Sequence, residues 1–124
     1  MTSGRTLIVG GVAGGASCAA RLRRLDENAE IVMCERGPHV SFANCGLPYY
    51  VGDVITDEDK LLVTTPQSLH DRFELDVRIR TEVVSIDRDR KVVQLRDLAN
   101  ERSYEEAYDQ LVLSPGARPL RPPL

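Results

Sequence analysis

No apolar run in this chain of 124 residues approaches the ~20 residues that a membrane-spanning helix needs. The N-terminus does not read as a signal peptide either, because one arginine is followed by a short apolar run that glycines interrupt. Charge of one sign is also lacking. With 16 basic and 19 acidic residues the net charge is −3, which gives no general pull towards nucleic acid or an anionic membrane. His39 and His70 stand apart, and no metal-ligand spacing links them to each other or to a cysteine. The chain has 3 cysteines: Cys18, Cys34 and Cys45. An odd number without a secretion signal argues against a disulfide framework and points to a reducing, cytoplasmic setting. The chain shows no internal repeat and no low-complexity segment.

What is present is an ordinary globular balance, with 42% hydrophobic and 28% charged residues, enough for one domain with a core. The stretch "RTLIVGG" (5–11) reads as a buried parallel strand, "GGASCAARLRRLDE" (14–27) as a helix and "AEIVMCE" (29–35) as a second strand. That is a β-α-β unit, which implies a parallel sheet with a right-handed crossover. A loop follows over 36–54, with a short helix starting near Cys45. In "TPQSLHDRF" (65–73), Thr65 is placed to cap a helix and Pro66 to open it. "LDVRIR" (75–80) reads as a third strand. Two alternating runs around Asp87–Arg90 signal a hairpin with a solvated tip, and a further alternating stretch leads to the buried strand "QLVLS" and a Pro-Gly turn. The chain is therefore α/β, a parallel sheet plus an antiparallel meander. The proline-rich tail is neither helix nor sheet.

The first candidate site is "IVGGVAGGAS", between the first strand and the first helix. A glycine-rich turn there lets backbone N–H groups and the positive helix end approach a pyrophosphate. Gly10 and Gly15 fit the ends of the G-x-G-x-x-G pattern, while Val12 fills its middle position. Glu35 follows at the end of the second strand, where an acidic residue would bind a ribose hydroxyl pair. The bland alternative is a tight turn without a ligand, and the pattern alone does not separate FAD from NAD.

The second candidate is Cys45, in "SFANCGLPYY". Flavin disulfide reductases with two redox cysteines use C-x4-C, but Tyr50 stands where the second cysteine would fall. Redox chemistry at Cys45 would then need an external thiol, or oxygen to form a sulfenic acid. A helix N-terminus beside it would favour the thiolate. Cys18, mid-helix, and Cys34, mid-strand, read as structural. Tyr49 and Tyr50 read as packing residues.

The third candidate is a row on the first helix. Ser17, Arg21 and Arg24 share one face, with Cys18, Leu22 and Leu25 on the neighbouring, core-facing side. A hydroxyl and two guanidiniums suit phosphates or carboxylates. From the residues alone, a solvated face that complements the helix dipole is the simpler account.

"VGGVAGGASCAARLRRLDE" together with "SFANCGLPYYVGDV" closely resembles the N-terminus of the coenzyme A disulfide reductases. These are the single-cysteine branch of the FAD-dependent pyridine nucleotide-disulfide oxidoreductases. The resemblance runs over essentially the whole chain, and Asn44 before the cysteine favours the coenzyme A group over oxidases and peroxidases. It implies a Rossmann-like FAD-binding domain, incomplete. Residues 1–124 would be its N-terminal part, without the second FAD segment, the NAD(P)H domain or the dimerisation domain of a homodimeric parent. Gly10, Val12, Ala13 and Gly14 would face the pyrophosphate, Glu35 and Arg36 the adenosine ribose, and Val83 the adenine through its backbone. Ser114, Pro115 and Gly116 would return to the phosphates. Cys45 would lie over the isoalloxazine as the redox-active centre. Ser17, Arg21, Arg24, Ser41 and Asn44 would hold coenzyme A. The implied activity is NAD(P)H-dependent reduction of CoA disulfide or CoA persulfide through a Cys45–CoA mixed disulfide, the fragment alone being inactive. The competing expectations are an NADH oxidase or peroxidase cycling through a sulfenic acid, and a non-catalytic nucleotide-binding redox module.

Overall fold

The computed structural model describes residues 4–41, 44–118 and 120–123, and of Asn44 the backbone alone. In chain order the elements are β1 (Arg5–Val9), α1 (Ala13–Leu25), β2 (Glu30–Cys34), a 3-10 turn (Asn44–Gly46), α2 (Leu47–Val51), a second 3-10 turn (Glu58–Leu61) and α3 (Pro66–Phe73). Then come β3 (Asp76–Arg78), β4 (Thr81–Asp87), β5 (Val92–Asp97), β6 (Arg102–Ala107) and β7 (Gln110–Leu113). One sheet has the order β3-β2-β1-β7 with every pair parallel, and the other is the antiparallel meander β4-β5-β6. This is the Rossmann-like architecture that the sequence predicts.

Alternation along the central strands sorts the core into two layers. Ile8, Ile31 and Met33 pack with Ala19 of α1 and with Leu69 and Leu75 at α3. Leu7, Val32 and Cys34 face the other way, onto Val93 and Leu95 of the meander. Strands covered on both faces need apolar residues at every position, which is why β1 and β2 read as unbroken runs. Burial also pushes the Cys34 thiol up to about 11, so it stays protonated and inert.

Helix α1 lies close to the sheet because its inner face is small: Gly15 and Ala19 are its buried residues. It is shorter than the predicted 14–27, starting at Ala13 and ending at Leu25. Leu25, expected in the core, is the last residue of α1 and is 68% exposed. Helix α3 follows the reading closely. Thr65 Oγ1 accepts from the Ser68 N–H at 3.1 Å, Pro66 opens the helix, and Glu74 ends it in the left-handed conformation. The second 3-10 turn is capped by Asp57, whose side chain accepts from the Asp59 N–H at 3.0 Å, a signal that the sequence reading passed over.

An ion-pair network joins the two sheets. Glu106 of β6 accepts from Arg5 of β1 and, at 2.7 Å, from Arg78 of β3. Arg78 also pairs with Asp76 at 2.8 Å and donates to the Tyr104 hydroxyl at 3.3 Å. Burial works to raise the Glu106 carboxyl, but hydrogen bonds from Arg78 and Arg5 outweigh it and hold it below the ordinary value.

Candidate functional site

Strand β1 runs into α1 through a turn that only glycine can make. Gly10 has φ +99, and a Cβ there would overlap the Ser114 carbonyl oxygen. Gly15 meets the same limit, since its Cβ would overlap the Gly10 carbonyl oxygen. The turn is pinned on one side by the Gly10 N–H donating to the Cys34 carbonyl at 2.8 Å, and the β7 exit on the other by the Ser114 N–H donating to the Val9 carbonyl at 2.8 Å. Ser114 and Pro115 therefore lie against the glycine turn. A Cβ on Gly14 would lie 3.2 Å from Ser114 Oγ. Ala13 and Gly14 are exposed at the start of α1, where first-turn N–H groups have no partner within the helix and the dipole is positive.

Beside this turn lies a cleft of about 160 Å³ whose lining includes Gly10, Glu35, Arg36, Val83 and Pro115. These are five sequence-predicted residues from four separate segments, and the fold brings them to one place. Thr81 and Glu82 line it as well, without having been singled out, because only the fold shows that β4 forms its far wall. Glu35 differs in detail from expectation. One carboxylate oxygen accepts from the Gly11 N–H at 3.0 Å and the other from the Gly37 N–H at 2.7 Å. A carboxylate has further lone pairs, so ribose hydroxyls can still donate to it. A backbone cradle that excludes a Cβ, the positive end of α1 and an acidic floor together fit a dinucleotide such as FAD.

Cys45 is exposed, in the middle of the first 3-10 turn. The helix expected from Cys45 begins two residues later and is the five-residue α2. Gly46 follows, and a Cβ there would sit 2.7 Å from Leu61 Cδ2, so that side chain would have to shift. Tyr50 is half-buried in α2, whereas Tyr49 is 57% exposed and does not pack as predicted. Phe42, Ala43 and the Asn44 side chain lie outside the described residues.

Ser41 ties this loop to both sites. It is left-handed, at φ 50. Its N–H donates to the Gly11 carbonyl at 2.9 Å and its carbonyl accepts from the Val63 N–H at 3.0 Å. Ser17 and Ser41 also line an open groove of about 570 Å³ between α1 and α3, together with Thr65, Ser68 and Arg72. Arg21 and Arg24 are exposed further along α1, outside the groove's lining. Neither has an ion-pair partner among the described residues. Arg72 was missed, though a signal existed: Ser68 and Arg72 repeat on α3 the four-residue spacing of Ser17 and Arg21 on α1. Among the described residues, no group of three His, Cys, Asp or Glu could hold a metal ion. No helix among them is long and apolar enough to cross a membrane.

Known proteins share this arrangement. The coenzyme A disulfide reductase of Staphylococcus epidermidis is 45% identical over 113 residues, covering 91% of this chain and 26% of that protein. The crystal structure of reduced Bacillus anthracis CoADR-RHD superposes with a TM-score of 0.96 at 54% identity, covering 98% of this chain and 22% of that one. An NAD-dependent persulfide reductase from A. fulgidus superposes with a TM-score of 0.90 at 38% identity, covering 97% of this chain and 22% of that one. The chain thus spans about a quarter of the length of the curated relatives it matches. The family model for pyridine nucleotide-disulphide oxidoreductases matches residues 4–124. With the glycine cradle and its acidic partner in place, the chain belongs to the pyridine nucleotide-disulphide oxidoreductase family.

Proposed function

We propose that residues 1–124 form the N-terminal part of the FAD-binding domain of an NAD(P)H-dependent reductase acting on CoA disulfide or CoA persulfide. The observation that carries this reading is the position of Cys45. It is an exposed thiol on a loop that Ser41 ties to the glycine turn on one side and to the α1–α3 groove on the other.

FAD, when bound along the glycine turn, would supply the two electrons that it takes from NAD(P)H at a site outside these residues. Gly10, Val12, Ala13 and Gly14 offer backbone to its pyrophosphate, Glu35 and Arg36 the polar edge for its ribose, and Val83 a backbone wall for its adenine. Ser114, Pro115 and Gly116 close the phosphate end.

Cys45 Sγ, as thiolate, attacks one sulfur of CoA disulfide. A Cys45–S–S–CoA bond forms, the substrate S–S bond breaks, and one CoA thiolate leaves. Two electrons then cleave the mixed disulfide, releasing the second CoA thiolate and restoring the Cys45 thiolate. Ser17, Ser41 and Asn44 would orient the substrate, with Arg21, Arg24 and Arg72 neutralising its phosphates. The substrate supplies the sulfur that Tyr50 does not. The parent enzyme would be a homodimer of the cytoplasm, and this chain alone would not turn over.

The test is intact mass of the chain after incubation with CoA disulfide, followed by dithiothreitol. A reducible adduct of coenzyme A mass on Cys45, formed faster than the adduct of an uncharged disulfide such as hydroxyethyl disulfide, is the expected result. A Cys45 that takes up a single oxygen instead, and shows no preference for CoA disulfide, would turn the reading to an oxidase or peroxidase.

A further inference from the structure

We propose that Arg23 is a positioning residue for the thiol-substrate groove, clasping the C-terminal ends of α1 and α3 so that the two walls hold their spacing. This rests on the reading of the groove and its arginines as the coenzyme A site. Arg23 is the arginine of the first helix that neither the row of Ser17, Arg21 and Arg24 nor the groove employs.

Its guanidinium is half-buried and spent on backbone. Nε donates to the Phe73 carbonyl at 2.7 Å and one terminal nitrogen to the Glu74 carbonyl at 3.2 Å. The other terminal nitrogen donates to the Asp26 and Glu27 carbonyls at 3.3 and 3.0 Å. One side chain thus reaches the carbonyl-rich ends of both helices. Those carbonyls have no partner within their helices and sit at negative dipole ends, where a cation is favoured. A planar fork of donors can serve both ends together. The compact ammonium of a lysine reaches one or the other.

The consequence falls on α3. It is an eight-residue helix. Such a helix is too short to be stable without tertiary contacts, which here are the Leu69 packing, the Thr65 cap and this clasp. Arg72 immediately precedes the clasped Phe73 carbonyl. Fixing that carbonyl fixes where Arg72 stands relative to Ser17 across the groove. Arg23 acts through Arg72 and the wall behind it, and touches no substrate.

The experiment uses the 124-residue chain and the rate at which Cys45 exchanges with CoA disulfide, divided by its rate with hydroxyethyl disulfide. The ratio isolates recognition from the reactivity of the thiol. Arg23→Gln lowers the ratio about tenfold, as expected for loss of hydrogen bonds from a charged donor. Arg23→Lys, which keeps the charge, recovers only a minor part of it. Its remaining loss does not change with ionic strength, whereas the loss in Arg21→Ala shrinks as salt rises. A wild-type ratio in Arg23→Lys would show that only charge matters and would overturn the proposal, as would a wild-type ratio in Arg23→Gln. Should Arg23→Gln unfold, Arg23→Lys decides alone. An Arg21→Ala, Arg24→Ala variant with an unchanged ratio sinks the groove reading itself, and the clasp's role with it. Loss of the ratio in that variant but not in either Arg23 variant sinks the clasp alone.

Discussion

The dinucleotide cleft and the α1–α3 groove sit on opposite sides of the Ser41 segment and are built from different material. The glycine turn at the cleft's edge is backbone: Gly10, Gly15 and the Ser114 carbonyl meet at distances that exclude a side chain. The groove is lined by side chains of α1, α3 and the loops beside them, among them the hydroxyls of Ser17, Ser41, Thr65 and Ser68 and the guanidinium of Arg72. A backbone site is tied to the fold, so damage to one is damage to both. A side-chain site can lose a member and keep its scaffold.

The sharpest way to break this contrast is Gly15→Ala. Its Cβ must displace the Gly10 carbonyl in the middle of the turn. A loss of about 3 kcal/mol or more in urea unfolding is expected, together with loss of FAD binding. A stable, flavin-binding Gly15→Ala chain would show that the cradle can shift.

Glu106→Gln comes next. It leaves Arg5 and Arg78 facing each other without their carboxylate between the two sheets that flank the cleft, at an expected cost of about 2 kcal/mol. The sign with pH follows from a folded value below the ordinary one. The stabilisation is complete above the ordinary carboxylate value of about 4.3 and is lost as pH falls through the lower folded value. Acid unfolding of the variant should accordingly be less steep than that of the parent, read by circular dichroism between neutral pH and pH 2.

Smaller effects belong to the groove. Arg21→Ala and Arg24→Ala should each slow exchange with CoA disulfide about fivefold to tenfold while moving the unfolding midpoint little, since both are exposed. Smallest in stability is Cys45→Ser, below about 0.5 kcal/mol, although it removes the thiol that forms the adduct. Iodoacetamide on the native chain should mark Cys45 first, Cys18 later and Cys34 only on unfolding. Burial holds the Cys34 thiol at about 11.

The contrast also explains what could be read from the sequence. Strands β1 and β2, helix α1 and the glycine turn were legible because their physics is local: apolar runs, a helical face, residues that allow φ > 0. Glu35 was legible by its place at the end of β2, but its two backbone bonds were not, because Gly11 and Gly37 become its neighbours only when the loop folds back. Leu25 misled because helical periodicity continues to the last residue of a helix whether or not anything packs there. The exposure of Cys45 was legible from its polar, glycine-flanked setting, whereas its 3-10 turn was not. Arg72 and Arg23 were missed for one reason. Each takes its place from the α1–α3 contact, and the Ser68–Arg72 spacing gains meaning only beside that of Ser17 and Arg21.

The Glu35 bridge has a kinetic corollary. With both oxygens holding the Gly11 and Gly37 amides, the chain's own hydrogen bonds fix the cleft wall. The ordering cost that a floppy loop would impose on the cofactor has been met during folding. Cofactor capture then becomes a matter of encounter and orientation rather than of waiting for a loop to close. Its association rate should scale with solvent viscosity, and its residence time should report on how well that single carboxylate keeps its grip.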